Sequence, residues 1–452
     1  MKNLTVKNII SAVSGKYFGD PSILEREISS VTKDSREVKS GCLFAAIKGE
    51  NVDGHDYIIS AFEKGALCAI GERLPEGCAC PVIVVKNTIT ALGDLALFYR
   101  SQFDIPIIGI TGSVGKTTAK EMVSSVLSQR LNVHRTSANL NNDLGVPLTV
   151  FGIGGSTRAA VIEMGISHFG EMSRLAEIVR PDMALYTAIG SAHLEFLGDY
   201  DGVLKAKTEL LPYLPENGVV FVNGDDEYLG KISCRQKIVR YGISKSCDVT
   251  AENVRILGTD GMELIIVSGR RRIDAKINSF GVHMVTAALG AAAVGMHMGL
   301  TDTEIASGIA SYRPVGSRSG IIRTGSLTII DDCYNANPTS TGAALKSLAL
   351  LKNRRVAVLG DMMELGEDSA RLHYDTGRAA AACGVSLLLT CGELSAGTFK
   401  GARDAGAEAI HFTSKEALIN ALPDLIKYGD AVLVKASHSR RFEDIVDALK
   451  KL

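Results

Sequence analysis

The 452 residues of the chain suggest about three domains at roughly 150 residues each. Apolar residues make up 46% and charged residues 22%, enough material for several hydrophobic cores. Lys+Arg number 49 against Asp+Glu 50, a net charge of −1, which argues against a nucleic-acid wrapper or a polybasic membrane binder and leaves any anionic ligand to local donors.

The nine cysteines are scattered, and the closest pair, Cys78 and Cys80, has C-x-C spacing. An odd number without C-x-x-C pairs fits neither a disulfide framework nor a zinc ribbon, and predicts reduced thiols. Met1-Lys-Asn-Leu-Thr-Val-Lys7 lacks the apolar run of a signal peptide, and the most apolar stretch, Ala287 to Leu300, is too short for a bilayer span. The expectation is a soluble intracellular protein with neither nucleic-acid nor membrane partners.

Three segments follow in chain order. Residues 1–104 carry short strands, Cys42–Ile47 and Val82–Val85, between polar turns, and Ser101-Gln-Phe-Asp-Ile-Pro106 marks a boundary. Residues 105–314 open with the apolar strand Ile107–Ile110. Ala119, Met122, Val123, Val126 and Leu127 then recur at helical spacing. Further strands are expected at Ala159–Ile162, Ala184–Ile189 and Gly218–Val222, with helices near Glu171–Val179 and Tyr200–Leu211. Residues 315–452 begin after the break Tyr312-Arg-Pro-Val-Gly-Ser317. There strands at Thr328–Ile330, Val356–Leu359, Val385–Leu389 and Ala431–Val434 alternate with helices. The fold class is α/β in three domains: a small α/β first domain, a central domain with a mostly parallel sheet, and a doubly wound, Rossmann-like C-terminal domain.

The strongest local signal is Gly109-Ile-Thr-Gly-Ser-Val-Gly-Lys-Thr-Thr118, a strand feeding a glycine turn from which a helix starts. Glycines let backbone N–H groups approach phosphate oxygens, the helix N-terminus adds positive charge, Lys116 reaches the β/γ-phosphates, and the Thr117 hydroxyl can ligate Mg²⁺. Ile110 stands where the first Gly of a strict G-x-x-x-x-G-K belongs. Glu163 ends a strand at the sheet's carboxyl edge, where a carboxylate can hold Mg²⁺ opposite phosphates. His193 follows the next strand, and Lys207 lies on the helix after it, with Lys205 as its neighbour and alternative. Taken alone, each of these also reads as a capping carboxylate, a structural histidine or an exposed helix lysine.

Thr111-Gly-Ser-x-Gly-Lys-Thr-Thr118, together with the His193–Lys207 spacing, resembles the Mur ligases and their folate-ligating relatives. Four more segments extend the resemblance over essentially the whole chain. They are Thr32-Lys-Asp-Ser-Arg36 with Gly41–Ala45 and Gly49–His55; Thr136–Pro147; Ile330-Asp-Asp-Cys-Tyr-Asn-Ala-Asn-Pro338; and Val358–Gly366 with His373. They are similar to the Mur ligase that takes a UDP-N-acetylmuramoyl-tripeptide and D-alanyl-D-alanine. The resemblance implies a uridine-nucleotide-binding first domain (1–104), a central P-loop ATP-binding domain (105–314) and a C-terminal ligase domain (315–452).

It also implies an ATP-dependent ligase using two Mg²⁺ ions and an acyl phosphate, monomeric and cytoplasmic. ATP would contact Thr111, Gly112, Ser113, Val114, Gly115, Lys116, Thr117, Thr118 and His283, with Asp332 accepting from the ribose. Thr117, Glu163, His193 and a carbamylated Lys207 would ligate the cations, and Arg318 would reach the ATP phosphates when the C-terminal domain closes. Ser35, Arg36 and Lys48 would serve the uridine diphosphate, Asn139 and Asn142 the muramoyl part. Asn335, Asn337 and Ser437 are candidates for the dipeptide. One departure stands out. Where the family commonly has H-N-x-x-N after Gly281-Val-His283, this chain has Met284 and Ala287, neither able to hydrogen-bond an adenine edge.

A ligase adding a single amino acid, or one of folate-polyglutamate type, shares the phosphate loop and Lys207. The Asp332–Pro338 segment and the uridine-type first segment argue against both. A non-catalytic nucleotide-binding relative shares the fold, and intact Lys116, Thr117, Glu163, His193 and Lys207 argue against it.

Overall fold

The computed structural model describes residues 1–77 and 79–452, so the Cys78–Cys80 spacing lies partly outside the described residues. Four sheets organise them. Residues 16–84 form a five-stranded sheet, and the central segment forms a six-stranded parallel sheet plus a three-stranded antiparallel one. The C-terminal segment forms a six-stranded sheet.

In the central sheet the phosphate-loop strand, Ile107–Thr111, lies between Ala159–Glu163 and Met183–Tyr186. All three strands are buried throughout, as a parallel sheet covered by helices on both faces requires. Glu163 and His193 therefore follow strands that are consecutive in this part of the chain but flank the phosphate-loop strand in space. Ligands of open α/β sheets bind where strand order reverses in this way.

Several expectations need correction. The strand expected over Ala184–Ile189 ends at Tyr186, because the Thr187 hydroxyl bends back to donate to Val114 O at 2.6 Å. The helix expected through Leu211 stops at Thr208 and yields to a 3-10 turn, Leu211–Tyr213, whose Pro212 has no N–H to continue a helix. The C-terminal strand placed at Val385–Leu389 runs over Leu387–Cys391. The strands Val133–Arg135 and Lys237–Tyr241 extend the central sheet at its edges. The antiparallel meander Thr250–Ile256, Met262–Ser268, Arg271–Ile277 was not anticipated at all.

The first segment has a small core of its own around Phe44, Ile58 and Ala69, and shares a larger one with the central segment. One apolar cluster runs from Leu4 and Ile9 through Leu92, Leu95 and Tyr99 to Ile162, Leu175 and Val203. The helix Thr88–Arg100 is the shared element. Tyr99 donates to Ile153 O at 2.7 Å and Arg100 Nε to Val179 O at 2.9 Å, both in the central segment.

In the C-terminal sheet the strand order is Gly320–Arg323, Thr328–Asp331, Ala431–Lys435, Arg355–Gly360, Leu387–Cys391, Ala409–Phe412. All neighbours are parallel except the first pair. Asp332, Asp361 and Lys435 lie at the carboxyl ends of adjacent strands. Ala287–Leu300 falls largely in the helix His283–His297, and no helix among the described residues is long and apolar enough to cross a membrane. Cys42, Cys68, Cys333 and Cys391 are buried free thiols, and burial pushes Cys68 up to about 12.

Candidate active site

Gly112 has φ +151°, and a Cβ there would stand 2.0 Å from Thr187 Oγ1, so only glycine lets the loop fold this closely. The Ser113 N–H donates to Ala188 O at 2.7 Å, its hydroxyl donates to Gly190 O at 3.2 Å, and Lys116 Nζ curls back to Gly112 O at 2.7 Å. Gly115, in the left-handed region, starts the helix Lys116–Leu127 without a side-chain cap, leaving first-turn N–H groups to an anion. Burial lowers the Lys116 pKa; the Glu163 carboxylate opposes that shift and the Arg318 charge adds to it.

Glu163 is buried and accepts the Thr117 hydroxyl at 2.9 and 3.1 Å and the Asn141 amide at 2.8 Å. Lys120, equally buried, lies 3.9 Å from Glu163 Oε2 and donates to Thr136 O at 2.7 Å.

His193 adopts φ +59°, a strained conformation for a non-glycine residue, in the loop after Met183–Tyr186. Its Nδ1 stands 2.6 Å from Glu364 Oε2 of the C-terminal segment. Burial lowers its pKa against the pull of Glu364, and the charges of Lys116 and Lys207 lower it further. Lys207 is 1% exposed on the helix Tyr200–Thr208. Burial first, and Lys116 second, hold its amine well below the usual lysine range, which favours the neutral form. Lys205 is exposed instead, over the Phe169 ring.

Across the cleft, the Arg318 guanidinium lies 3.7 Å from the Tyr334 ring centroid. Asp332 pairs with Lys435 at 2.6 Å and accepts the Ser319 N–H at 2.9 Å. His283 is half-buried near both charges, and desolvation lowers its pKa.

Between the two segments opens a cavity of about 430 Å³. It brings together Ser113, Val114, Gly115, Lys116, Thr118, Glu163 and His193 with His283, Arg318 and Asp332. Asn139, Asn142, Asn335 and Asn337 also line it. Thr117 and Lys207 stand behind this lining, joined to it through Glu163 and through Lys116 and His193. The Thr111 hydroxyl is used by Met164 O. Asn337 also caps the helix Pro338–Leu348, with Ser340 N–H donating to it. Ser437 is buried, and its hydroxyl donates to Ala336 O at 3.5 Å.

Ser35, Arg36 and Lys48 are not brought to this cavity. Arg36, 86% exposed in its side chain, pairs with Asp34, and the Ser35 carbonyl accepts Lys64 Nζ. Met284 is buried in the central core, while Ala287 faces a smaller cavity of about 140 Å³ beside the phosphate loop, with Asn223 and Thr286. The sequence reading passed over Asn141, Lys120, Tyr334, Glu364 and Lys435. Asn141, Tyr334 and Glu364 sit inside segments that carry the resemblance and Lys435 directly follows the expected strand Ala431–Val434, but nothing in spacing singles out which side chain turns inward.

Thr117 with the buried Glu163 carboxylate forms an all-oxygen pair suited to a divalent cation. Among the described residues no group of three or more His, Cys, Asp or Glu side chains could hold a metal by itself. Mg²⁺ is usually bound through one or two carboxylates together with nucleotide phosphates.

The geometry has close counterparts. Residues 27–100 match the model of the Mur ligase family catalytic domain, 110–295 the Mur ligase middle domain, and 317–438 the Mur ligase glutamate ligase domain. A UDP-N-acetylmuramoyl-tripeptide–D-alanyl-D-alanine ligase of Escherichia coli is 36% identical, over 100% of this chain and 99% of the relative. A crystal structure of MurF from Acinetobacter baumannii superposes with a TM-score of 0.91 at 30% identity, covering 99% of each chain. MurF ligase from Thermotoga maritima, solved in complex with ADP, superposes with a TM-score of 0.83 at 26% identity, covering 93% of this chain and 97% of that one. With a phosphate loop, a buried carboxylate and a C-terminal sheet facing one cleft, and full-length identity of this extent, the chain belongs to the Mur ligase family.

Proposed function

We propose that this chain is an ATP-dependent ligase that joins D-alanyl-D-alanine to a UDP-N-acetylmuramoyl-tripeptide, releasing ADP and phosphate. It would act on soluble precursors of peptidoglycan, as a monomer in the bacterial cytoplasm. The observation that carries the reading is the single cavity in which Lys116 and Glu163 from the central segment face Arg318 and Asp332 from the C-terminal one. The full-length E. coli relative, named for the same reaction, supports it.

A carboxylate cannot be aminolysed directly, because oxide is a very poor leaving group. In the proposed reaction an oxygen of the tripeptide's terminal carboxylate attacks the γ-phosphorus, and the bond to ADP breaks. The dipeptide amine then attacks the acyl carbon, and phosphate leaves with the bridging oxygen. The chain's part is positioning and charge neutralisation. The 112–117 backbone N–H groups and Lys116 hold the phosphates, Arg318 approaches from the C-terminal side, and Asp332 has lone pairs left for the ribose hydroxyls. Asn139 and Asn142 face the muramoyl end, and Asn335 and Asn337 face the dipeptide. Docking of the two segments excludes water that would hydrolyse the acyl phosphate.

Thr117, Glu163, His193 and Lys207 would hold two Mg²⁺ ions, which supply further neutralisation of the transferring phosphoryl group. Lys207 suits this role only once modified. Its neutral amine is the form that attacks CO₂; an N–C bond forms, a proton leaves, and the product is an anionic carbamate beside Lys116 and His193.

The test is a coupled phosphate-release assay. Release is expected only when ATP, UDP-N-acetylmuramoyl-tripeptide and D-alanyl-D-alanine are all present. Equal release with glutamate or a folate replacing the two peptide substrates would overturn the reading in favour of a single-amino-acid or folate ligase.

A further inference from the structure

The loop 190–197, which carries His193, is gripped by the C-terminal segment at three places. Thr339 packs directly on Gly190, where a Cβ would stand 2.8 Å from its hydroxyl oxygen. Glu364 Oε2 stands 2.6 Å from His193 Nδ1. Gly366 lies so close to Glu195 that a Cβ would be 3.3 Å from its Cα. The position of His193 thus depends on a segment to which it does not belong. Both residues of the middle contact, His193 at φ +59° and Glu364 at φ +61°, hold left-handed backbone that non-glycine residues rarely adopt.

Glu364 also differs from the other carboxylates at the C-terminal strand ends. Asp332 is committed to Lys435 at 2.6 Å. Asp361 is committed to Arg440 at 3.3 Å and to the Ser395 N–H at 2.8 Å. The ion-pair partner of Glu364, half-exposed at 51%, is the imidazole of His193. The Nδ1–Oε2 contact is close, but its angle falls short of a full hydrogen bond.

Where an imidazole ligates a metal through one nitrogen, a carboxylate on the other fixes its tautomer and orientation. With Glu364 on Nδ1, Nε2 is the nitrogen left for a cation. We infer that Glu364 is a positioning residue which turns His193 toward the cation site only when the C-terminal segment is docked, so that docking itself completes the site. The inference rests on the ligase reading above and adds an order to it: the second cation seat forms with closure, and phosphoryl transfer waits for a cleft already shut to water.

Mn²⁺ binding to the full-length protein, titrated by electron paramagnetic resonance with a methylene-bridged ATP analogue and the UDP-muramoyl-tripeptide, tests it. The unsubstituted protein is expected to bind two ions. Glu364→Ala is expected to keep one and to weaken the other about 10- to 100-fold. Glu364→Gln should fall between them, because its amide oxygen still accepts from Nδ1–H. Tm should stay within a few degrees, since the side chain is half-exposed. Two ions at unchanged affinity in Glu364→Ala, or only one in the unsubstituted protein, overturn the inference. Ligation by the unsubstituted protein is measured alongside. Its absence removes the ligase reading together with the inference, whereas ligation with unchanged Mn²⁺ binding removes the inference alone.

Discussion

Lys116→Met is expected to lower kcat/KM for ligation by about 10²- to 10³-fold, a loss of roughly 3–4 kcal/mol of transition-state stabilisation. The ammonium sits in the phosphate loop with its charge desolvated, where an interaction with a transferring phosphoryl group is far stronger than in water. Its hydrogen-bond acceptor within the loop is the carbonyl of Gly112, a local contact that ligand phosphates can replace. The substitution also removes a half-buried, partly desolvated cation, so Tm should hold or rise even as activity collapses. That split between stability and rate separates a phosphate-binding lysine from one that merely holds the loop. Activity within tenfold of the unsubstituted protein would remove Lys116 from the reaction.

The second large effect concerns Lys207. Lys207→Ala is expected to lose about 100-fold or more in activity, with partial recovery when short carboxylates such as acetate or propionate are added. A buried ammonium beside Lys116 is electrostatically misplaced: burial first, and the Lys116 charge second, depress the Lys207 pKa. Carbamylation reverses the sign of the charge and resolves that conflict. Exogenous carboxylate can enter the space vacated by the lysine and supply the missing anion. Steady-state rates across a carboxylate series check this, with the size of the acid setting the degree of recovery. Full activity without any added acid would eliminate the carbamate.

Much of the architecture could be read from the sequence because its strands are short apolar runs between helices with clear spacing. Ile107–Thr111, Ala159–Glu163 and Ala431–Lys435 are apolar nearly throughout, the mark of strands covered on both faces. The meander 250–277 escaped because its two outer strands are amphipathic and rich in charged residues. Thr250–Ile256 is exposed over most of its length, and Arg271–Ile277 alternates charged with apolar positions. Edge strands such as Val133–Arg135 have three residues and no period to detect.

At the site, glycine spacing and the strand-end position of Glu163 were visible because backbone geometry demands them. The partnership of His193 with Glu364 was not, because it joins residues 171 positions apart on opposite sides of a cleft. Lys120 was likewise invisible as a buried group. Its helical spacing places it one turn beyond Lys116, but only the packing of Thr136 and Glu163 against it shows that it faces inward. A uridine-nucleotide role for Ser35, Arg36 and Lys48 is implied only by the resemblance, and none of the three lines the cavity.

The central claim is that the peptide carboxylate is activated as an acyl phosphate within this cavity. Transfer of oxygen from a tripeptide whose terminal carboxylate carries ¹⁸O in both positions reads it directly. Each turnover is expected to place one ¹⁸O in the released phosphate and to leave the other in the new amide carbonyl. Phosphate containing no ¹⁸O, with ligation proceeding normally, would contradict it.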